Sequence, residues 1–240
     1  MWELLYQLLQ HTEGNGDRSR FPPFIYISME CRDHYLSPTW GNRPIKSVFL
    51  ALILKFLGIG EHAFVVGHVG RFFAPKNHEF LIDVFYQLQK RLQSAFLLLI
   101  GAGPLEETIK EKINSLGLDT KVLILSHRTD IPHLLKTMDV FVFPSKYEGF
   151  PVTLVEAQVA GLRCIVSDKI SHESFLCDTV IPLSIDESPN MWCNTILDET
   201  IKGVSYGNLG DYDMNKEIKR LENFYSGGSD DGIESEKHKA

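Results

Sequence analysis

Two rhythms of apolar and polar residues alternate along the middle of this chain. Short unbroken apolar runs end in glycine or serine, and each leads into a longer stretch whose apolar residues return every three or four positions. The first run is AFVVGHVG (63–70), followed by NHEFLIDVFYQLQKRL (77–92) with cationic residues in its last turn. Such a pair predicts a buried strand and then an amphipathic helix. AFLLLIGAG (95–103) and PLEETIKEKINSLG (104–117) repeat the unit, with Pro near the helix start and Gly at its end. KVLIL (121–125) is the third strand, and Asp130 is placed to cap the short helix IPHLLKTM (131–138). The strand DVFVFPS (139–145), the helix PVTLVEAQVAG (151–161) and the strand RCIVSD (163–168) complete the series. Five strands alternating with helices predict an α/β fold, a Rossmann-like doubly wound parallel sheet over about 63–185. Ligands of such sheets sit beyond the carboxyl ends of the strands.

The flanks break the rhythm. MWELLYQLLQ is apolar at helical spacing, HTEGNGDRSR is polar, and FPPFIYISMECRDHYLSPTWGNRP is rich in Pro and aromatics. The longest apolar run, SVFLALILKFLGIG (47–60), is interrupted by Lys55. It falls short of the ~20 residues a spanning helix needs, and its 47–57 part reads as a buried helix in preference to an interfacial one. Segments 188–201 and 214–225 have helical pattern, and 226–240 reads as a disordered tail. The expected division is an irregular extension over 1–60, the Rossmann-like domain over 61–200, a helical segment over 201–225 and the tail.

Composition narrows the function classes. Apolar residues make up 44% of the 240 and charged residues 23%, values ordinary for a soluble globular protein. A net charge of −7 argues against broad nucleic-acid binding, because a phosphate backbone would be repelled. Cys31, Cys164, Cys177 and Cys193 lack C-x-x-C spacing and read as reduced thiols of a cytoplasmic chain. The basic start and cleavage site of a signal peptide are not found at the N-terminus. The nine histidines show no metal spacing, and His68 and His127 read as core or surface residues. DYD (211–213) imitates a metal-binding D-x-D, but its place before a helix favours helix entry.

The chemistry gathers at the strand ends. GHVGRFFAPKN (67–77) follows the first strand with Gly70, Arg71 and Lys76. Two cations beside a glycine turn suit a diphosphate. GAGPLE (101–106) lacks the third glycine of a dinucleotide fingerprint, so Gly101 and Gly103 read as turn formers lining the cleft. SKYEGFP (145–151) leads into a helix at Pro151, whose free N–H groups and positive dipole end form an anion seat with Gly149. Glu148 and Glu156 stand on either side of that seat, and carboxylates accept hydrogen bonds from hydroxyls, which makes sugar rings their natural partners. A glycosidase could also use two carboxylates, yet it would leave the anion seat without a purpose.

GHVGRF, KNHEFLID, GAGPLE and MDVFVFPSKYEGFPVTLVEAQVAG, with the E-x7-E of Glu148 and Glu156, resemble the donor-binding half of GT-B glycosyltransferases. The resemblance is to the retaining family-4 group of bacterial exopolysaccharide and capsule enzymes, and it covers about 58–225. It implies transfer of a sugar from a UDP- or GDP-sugar to a glycan or lipid-linked acceptor, with no metal or other cofactor. Arg71 and Lys76 then match the cations on the donor diphosphate, Glu148 the residue on the transferred sugar, and Glu156 the one on the ribose. The backbone of Gly149, Phe150, Pro151, Val152 and Thr153 matches the diphosphate loop, and Arg128 sits near the nucleobase position. The implied place is cytoplasmic, with room for peripheral contact at the inner face of a membrane or with a partner protein. The family carries a second Rossmann-like domain for the acceptor, and about sixty irregular residues precede the donor half here. The expectation is therefore a chain without its acceptor half. Two alternatives remain: a non-catalytic nucleotide-sugar-binding or partner module, and a sugar-nucleotide epimerase of the same geometry.

Overall fold

The computed structural model of the chain describes residues 48–198. The helix and tail expected after 200, and DYD at 211–213, lie outside the described residues, as does the extension before 48.

Six strands form one parallel sheet: β1 (Phe64–Val69), β2 (Ala95–Ile100), β3 (Val122–Leu125), β4 (Val140–Phe143), β5 (Arg163–Ser167) and β6 (Val180–Leu183). Their order is β3-β2-β1-β4-β5-β6, so the direction of winding reverses between β1 and β4. This is the doubly wound Rossmann order, with its crevice at the reversal. All six residues of β1 are buried, which is why its side chains, His68 apart, are apolar on both faces instead of alternating.

Helices cover the sheet on both sides: α1 (Val48–Phe56), α2 (His78–Arg91), α3 (Glu106–Ser115), α4 (Ile131–Leu135), α5 (Val152–Val159) and α6 (Pro189–Leu197). One core layer packs α1 against the sheet through Leu50, Ile53 and Leu54, together with Phe141, Phe143 and Leu154. The other sets Leu81, Phe85 and Leu88 of α2 beside Trp192 and Ile196 of α6. The buried helix expected at 47–57 is thus present, and the packed unit begins before residue 61. Its apolar run exists because that face meets the sheet.

Two local expectations are corrected. Asp130 occupies the position before α4, but its side chain makes no capping bond. Arg128 takes both carboxylate oxygens instead, Nε to Oδ1 at 2.7 Å and a terminal nitrogen to Oδ2 at 2.5 Å. A bidentate ionic partner outcompetes one neutral N–H for the same carboxylate. The second correction is β6, absent from the sequence reading. It carries Pro182, pairs with β5 alone, and is mostly half-exposed. Proline is tolerated at such an edge because the missing N–H has no ladder partner to lose.

Gln158 ties the segment after β5 to α5. Its amide nitrogen donates to Ser174 O at 2.8 Å, and its carbonyl accepts from Leu176 N at 2.6 Å and Cys177 N at 3.3 Å. One fully buried side chain thereby satisfies three backbone groups of a loop that has no ladder of its own.

Candidate functional site

The loops that follow β1 and β4 meet at the winding reversal, and they carry Gly70, Arg71, Lys76, Glu148, Gly149, Phe150 and Pro151 of the predicted residues. After β1 the chain passes Gly70 and Arg71, then makes a 3-10 turn over Ala74–Lys76 ended by Asn77 in the left-handed region (φ 57°). That turn is fixed to the other loop through Lys146 N–H, which donates to Pro75 O at 2.7 Å. Beside it the Lys76 ammonium donates to Glu148 Oε1 at 2.6 Å, across 72 residues of sequence. The two side chains retain only 20% and 14% of their exposure, so the pair is partly desolvated. Lys76 Nζ also lies 4.9 Å from the centre of the Phe143 ring at the end of β4.

The structure therefore brings together a cation and a carboxylate that the sequence could place only separately. Arg71 is exposed, with its guanidinium 5.6 Å from the Phe73 ring centre, so it stands at the rim. Gly149 is exposed, and a Cβ there would meet nothing within 4 Å. Pro151 precedes α5, and no side chain caps that end. Val152 is exposed and Thr153 half-exposed in the first turn, while Phe150 is about half exposed beside them. Glu156 sits one turn further in, and burial pushes its carboxyl above the usual carboxylate range.

Other predicted residues serve the frame. A Cβ on Gly101 would fall 2.0 Å from Gly70 O, and one on Gly103 would fall 2.4 Å from Phe72 O. These glycines let the loops after β1 and β2 touch, and Phe72 N–H completes the join by donating to Ala102 O at 3.0 Å. Ser126 extends it, donating to Gly101 O at 3.2 Å. Arg128 is nearly fully buried on Asp130, so its guanidinium holds the loop after β3 in shape.

Beneath the Lys76 turn lies a feature the sequence reading left in the core. His68 is fully buried on β1, and His78 nearly so at the start of α2. Their rings meet edge to face at 4.7 Å, and His78 makes the same contact with Phe72. Burial pulls the His68 imidazole down to about 4, against a smaller upward pull from the Val142 carbonyl, and lowers His78 further still. Ten residues separate them in sequence, and only α2 folding back over β1 joins them.

An acid-stability experiment checks this pair. The unfolded chain binds protons on both histidines near their ordinary value of 6.5, whereas the folded chain excludes them until far lower pH. Stability is then present above 6.5 and lost as pH falls toward about 4. Replacing both histidines should remove roughly two protons from the uptake on unfolding in that window. An unchanged slope of stability against pH would show that neither is held neutral.

Away from the crevice, a surface hollow of about 420 Å³ lies beside β6, lined by His172, Phe175, Leu176, Cys177, Asp178, Val180 and Pro182. It offers neither lysine nor arginine. No group of three or more His, Cys, Asp or Glu placed for a metal occurs among the described residues. No helix among them is long and apolar enough to cross a membrane.

Known proteins resemble this chain in sequence and in fold. The chain is 38% identical over 178 residues to EpsF of Bacillus subtilis (strain 168), named as a glycosyltransferase, covering 70% of this chain and 46% of that protein. It is 29% identical to the capsular polysaccharide biosynthesis glycosyltransferase CapH of Staphylococcus aureus, covering 84% and 59%. The chain thus spans about half the length of these curated relatives. The crystal structure of Anabaena Alr3699/HepE in complex with UDP and glucose superposes with a TM-score of 0.62 at 22% identity, covering 75% of this chain and 52% of that one. The sequence profile of the family described as glycosyl transferases group 1 matches residues 52–191, which hold every predicted site residue and more than half of the chain. By that match, this chain belongs to the group 1 glycosyltransferases.

Proposed function

We propose that this chain forms the donor-binding half of a retaining glycosyltransferase that moves a sugar from a UDP- or GDP-sugar to a glycan or lipid-linked acceptor in polysaccharide assembly. The observation that carries the reading is the Lys76–Glu148 pair, at 2.6 Å, in the crevice where the sheet reverses its winding. A donor is a diphosphate joined to a hydroxyl-rich ring, and it needs a cation next to a carboxylate. Lys76 and the rim guanidinium of Arg71 would take the diphosphate oxygens, together with the backbone of Gly149 to Thr153 and the open end of α5. Glu148 would accept from hydroxyls of the transferred sugar, and Glu156 from the ribose. Arg128, locked on Asp130, would hold the loop beside the base.

In this reading the enzyme's chief work is electrostatic. As the bond from the sugar to the diphosphate breaks, negative charge grows on the leaving oxygen, and the fixed ammonium and helix end stabilise it. The acceptor hydroxyl attacks the face that the diphosphate leaves, and its proton passes to the departing diphosphate oxygen. Contact with a membrane surface or a partner protein would bring the acceptor.

Titration calorimetry tests the reading. UDP or GDP should bind the 240-residue chain, and a chelator should leave the affinity unchanged because protein cations supply the charge. Failure of both nucleotides to bind would sink the proposal. Binding abolished by chelator would overturn its metal-independent part.

A further inference from the structure

Lys76 has three N–H donors, and one goes to Glu148 in this structure. What directs the ammonium when a diphosphate draws it from Glu148? The answer lies one layer down. His68 Nδ1 faces the Val142 carbonyl at 2.9 Å, and a carbonyl only accepts, so the ring proton sits on Nδ1. His68 Nε2 is then a bare acceptor. It is buried and has no hydrogen-bond partner among the described residues.

That orphan nitrogen and the Lys76 side chain border the same space. A Cβ built on Gly70 would meet His68 Nε2 at 2.9 Å, Lys76 Cδ at 3.4 Å and Lys76 Cε at 3.5 Å. Gly70, lacking a Cβ, therefore leaves open the space that the lysine stem and the imidazole both border. His78 braces the imidazole from the side, with ring centres 4.7 Å apart and planes at 81°. Phe143 stacks on His68 at 5.5 Å and also lies under the ammonium at 4.9 Å. A buried acceptor without a donor is costly, so each one in a native fold calls for a reason.

We propose that His68 is a positioning residue for Lys76: its Nε2 accepts an N–H of the ammonium when a diphosphate, in UDP or in the full donor, draws the ammonium from Glu148. His78 holds the His68 ring in register for that bond. The ammonium is thereby kept at the diphosphate instead of following the carboxylate. The inference rests on the reading of Lys76 as a diphosphate ligand, and neither histidine touches the donor itself.

A double-mutant cycle on UDP affinity, measured by calorimetry on the full chain, separates the two ideas. His68→Asn keeps a donor for Val142 O but removes the distal acceptor, while His68→Gln can restore an acceptor near the Nε2 position. His68→Asn should weaken UDP binding about three- to tenfold in the native background and by less than about twofold alongside Lys76→Ala. His68→Gln should stay within about twofold of the native chain. An equal loss from His68→Asn in both backgrounds, or no loss at all, overturns the positioning role while leaving the diphosphate reading intact. A Lys76→Ala chain that binds UDP normally overturns the diphosphate reading and this inference with it. Should His68→Asn fail to fold, Gly70→Ala decides, because its methyl wedges between the two groups. It should weaken UDP binding in the native background and have no further effect beside Lys76→Ala, and equal affinities in both pairs would refute the contact.

Discussion

Gly101→Ala should destabilise the fold by about 3 kcal/mol or more. The new methyl would lie 2.0 Å from Gly70 O, a backbone atom that no rotamer change can move aside. The position also has φ +153°, where a Cβ is strained even in open space. Relief requires the loops after β1 and β2 to part. That would strain two bonds joining them, Gly70 N–H to Ile100 O at 2.9 Å and Phe72 N–H to Ala102 O at 3.0 Å. For a domain of this size the midpoint of thermal unfolding should drop on the order of 6–12 °C. Gly117→Ala supplies the control: its φ is +66° but nothing lies within 4 Å. It should cost only about 1–2 kcal/mol, the left-handed penalty alone. Equal denaturation midpoints for the two variants would show that the close approach of the loops does not matter to stability.

Gly101 and its neighbour Gly103 mark how far the sequence could be read. GAGPLE announced a turn at a strand end, yet what the glycines turn against is a carbonyl thirty-one residues earlier, and no local pattern encodes it. The strands β1, β2, β4 and β5 were legible because burial on both faces makes them continuous apolar runs, and β3, half-exposed at the opposite edge, still keeps the unbroken run VLIL. β6 was not, because its edge position relaxes that demand and admits Pro182. Asp130 misled because capping propensity is a local rule, whereas Arg128 two residues before it supplied a stronger partner. Lys76 and Glu148 could each be placed at a strand end, but their direct pairing depends on β1 and β4 being neighbours, a property of the strand order. His68 was read as a core or surface residue for the opposite reason: a histidine inside an apolar strand looks like core, and it is core. Its orphan nitrogen is visible only in three dimensions.

The largest functional effects should come from the crevice, and they should divide by ligand. Lys76→Ala removes the desolvated cation, so UDP and its sugar conjugates should weaken alike, by roughly ten- to a hundredfold for each charge-assisted bond lost. Glu156→Ala should behave the same way if its partner is the ribose, since both ligands carry one. Acidification should imitate it: burial raises the Glu156 carboxyl, so this carboxylate gains its proton, and ceases to be a pure acceptor, at higher pH than an exposed one. Glu156→Gln should flatten that pH dependence. Glu148→Ala should do something different. It frees Lys76 from its 2.6 Å partner, so UDP affinity should hold or rise, while the sugar conjugate loses its hydroxyl acceptor. Gly149→Ala, with no atom within 4 Å of its new methyl, should melt normally yet bind both ligands less well, because the methyl enters space the diphosphate would fill. A misfolded variant would lose both ligands and melt early, so the pattern separates damage to the site from damage to the fold. If Glu148→Ala binds UDP and the UDP-sugar with the preference of the native chain, the carboxylate does not hold the sugar. Its bond to Lys76 would then have only a structural purpose.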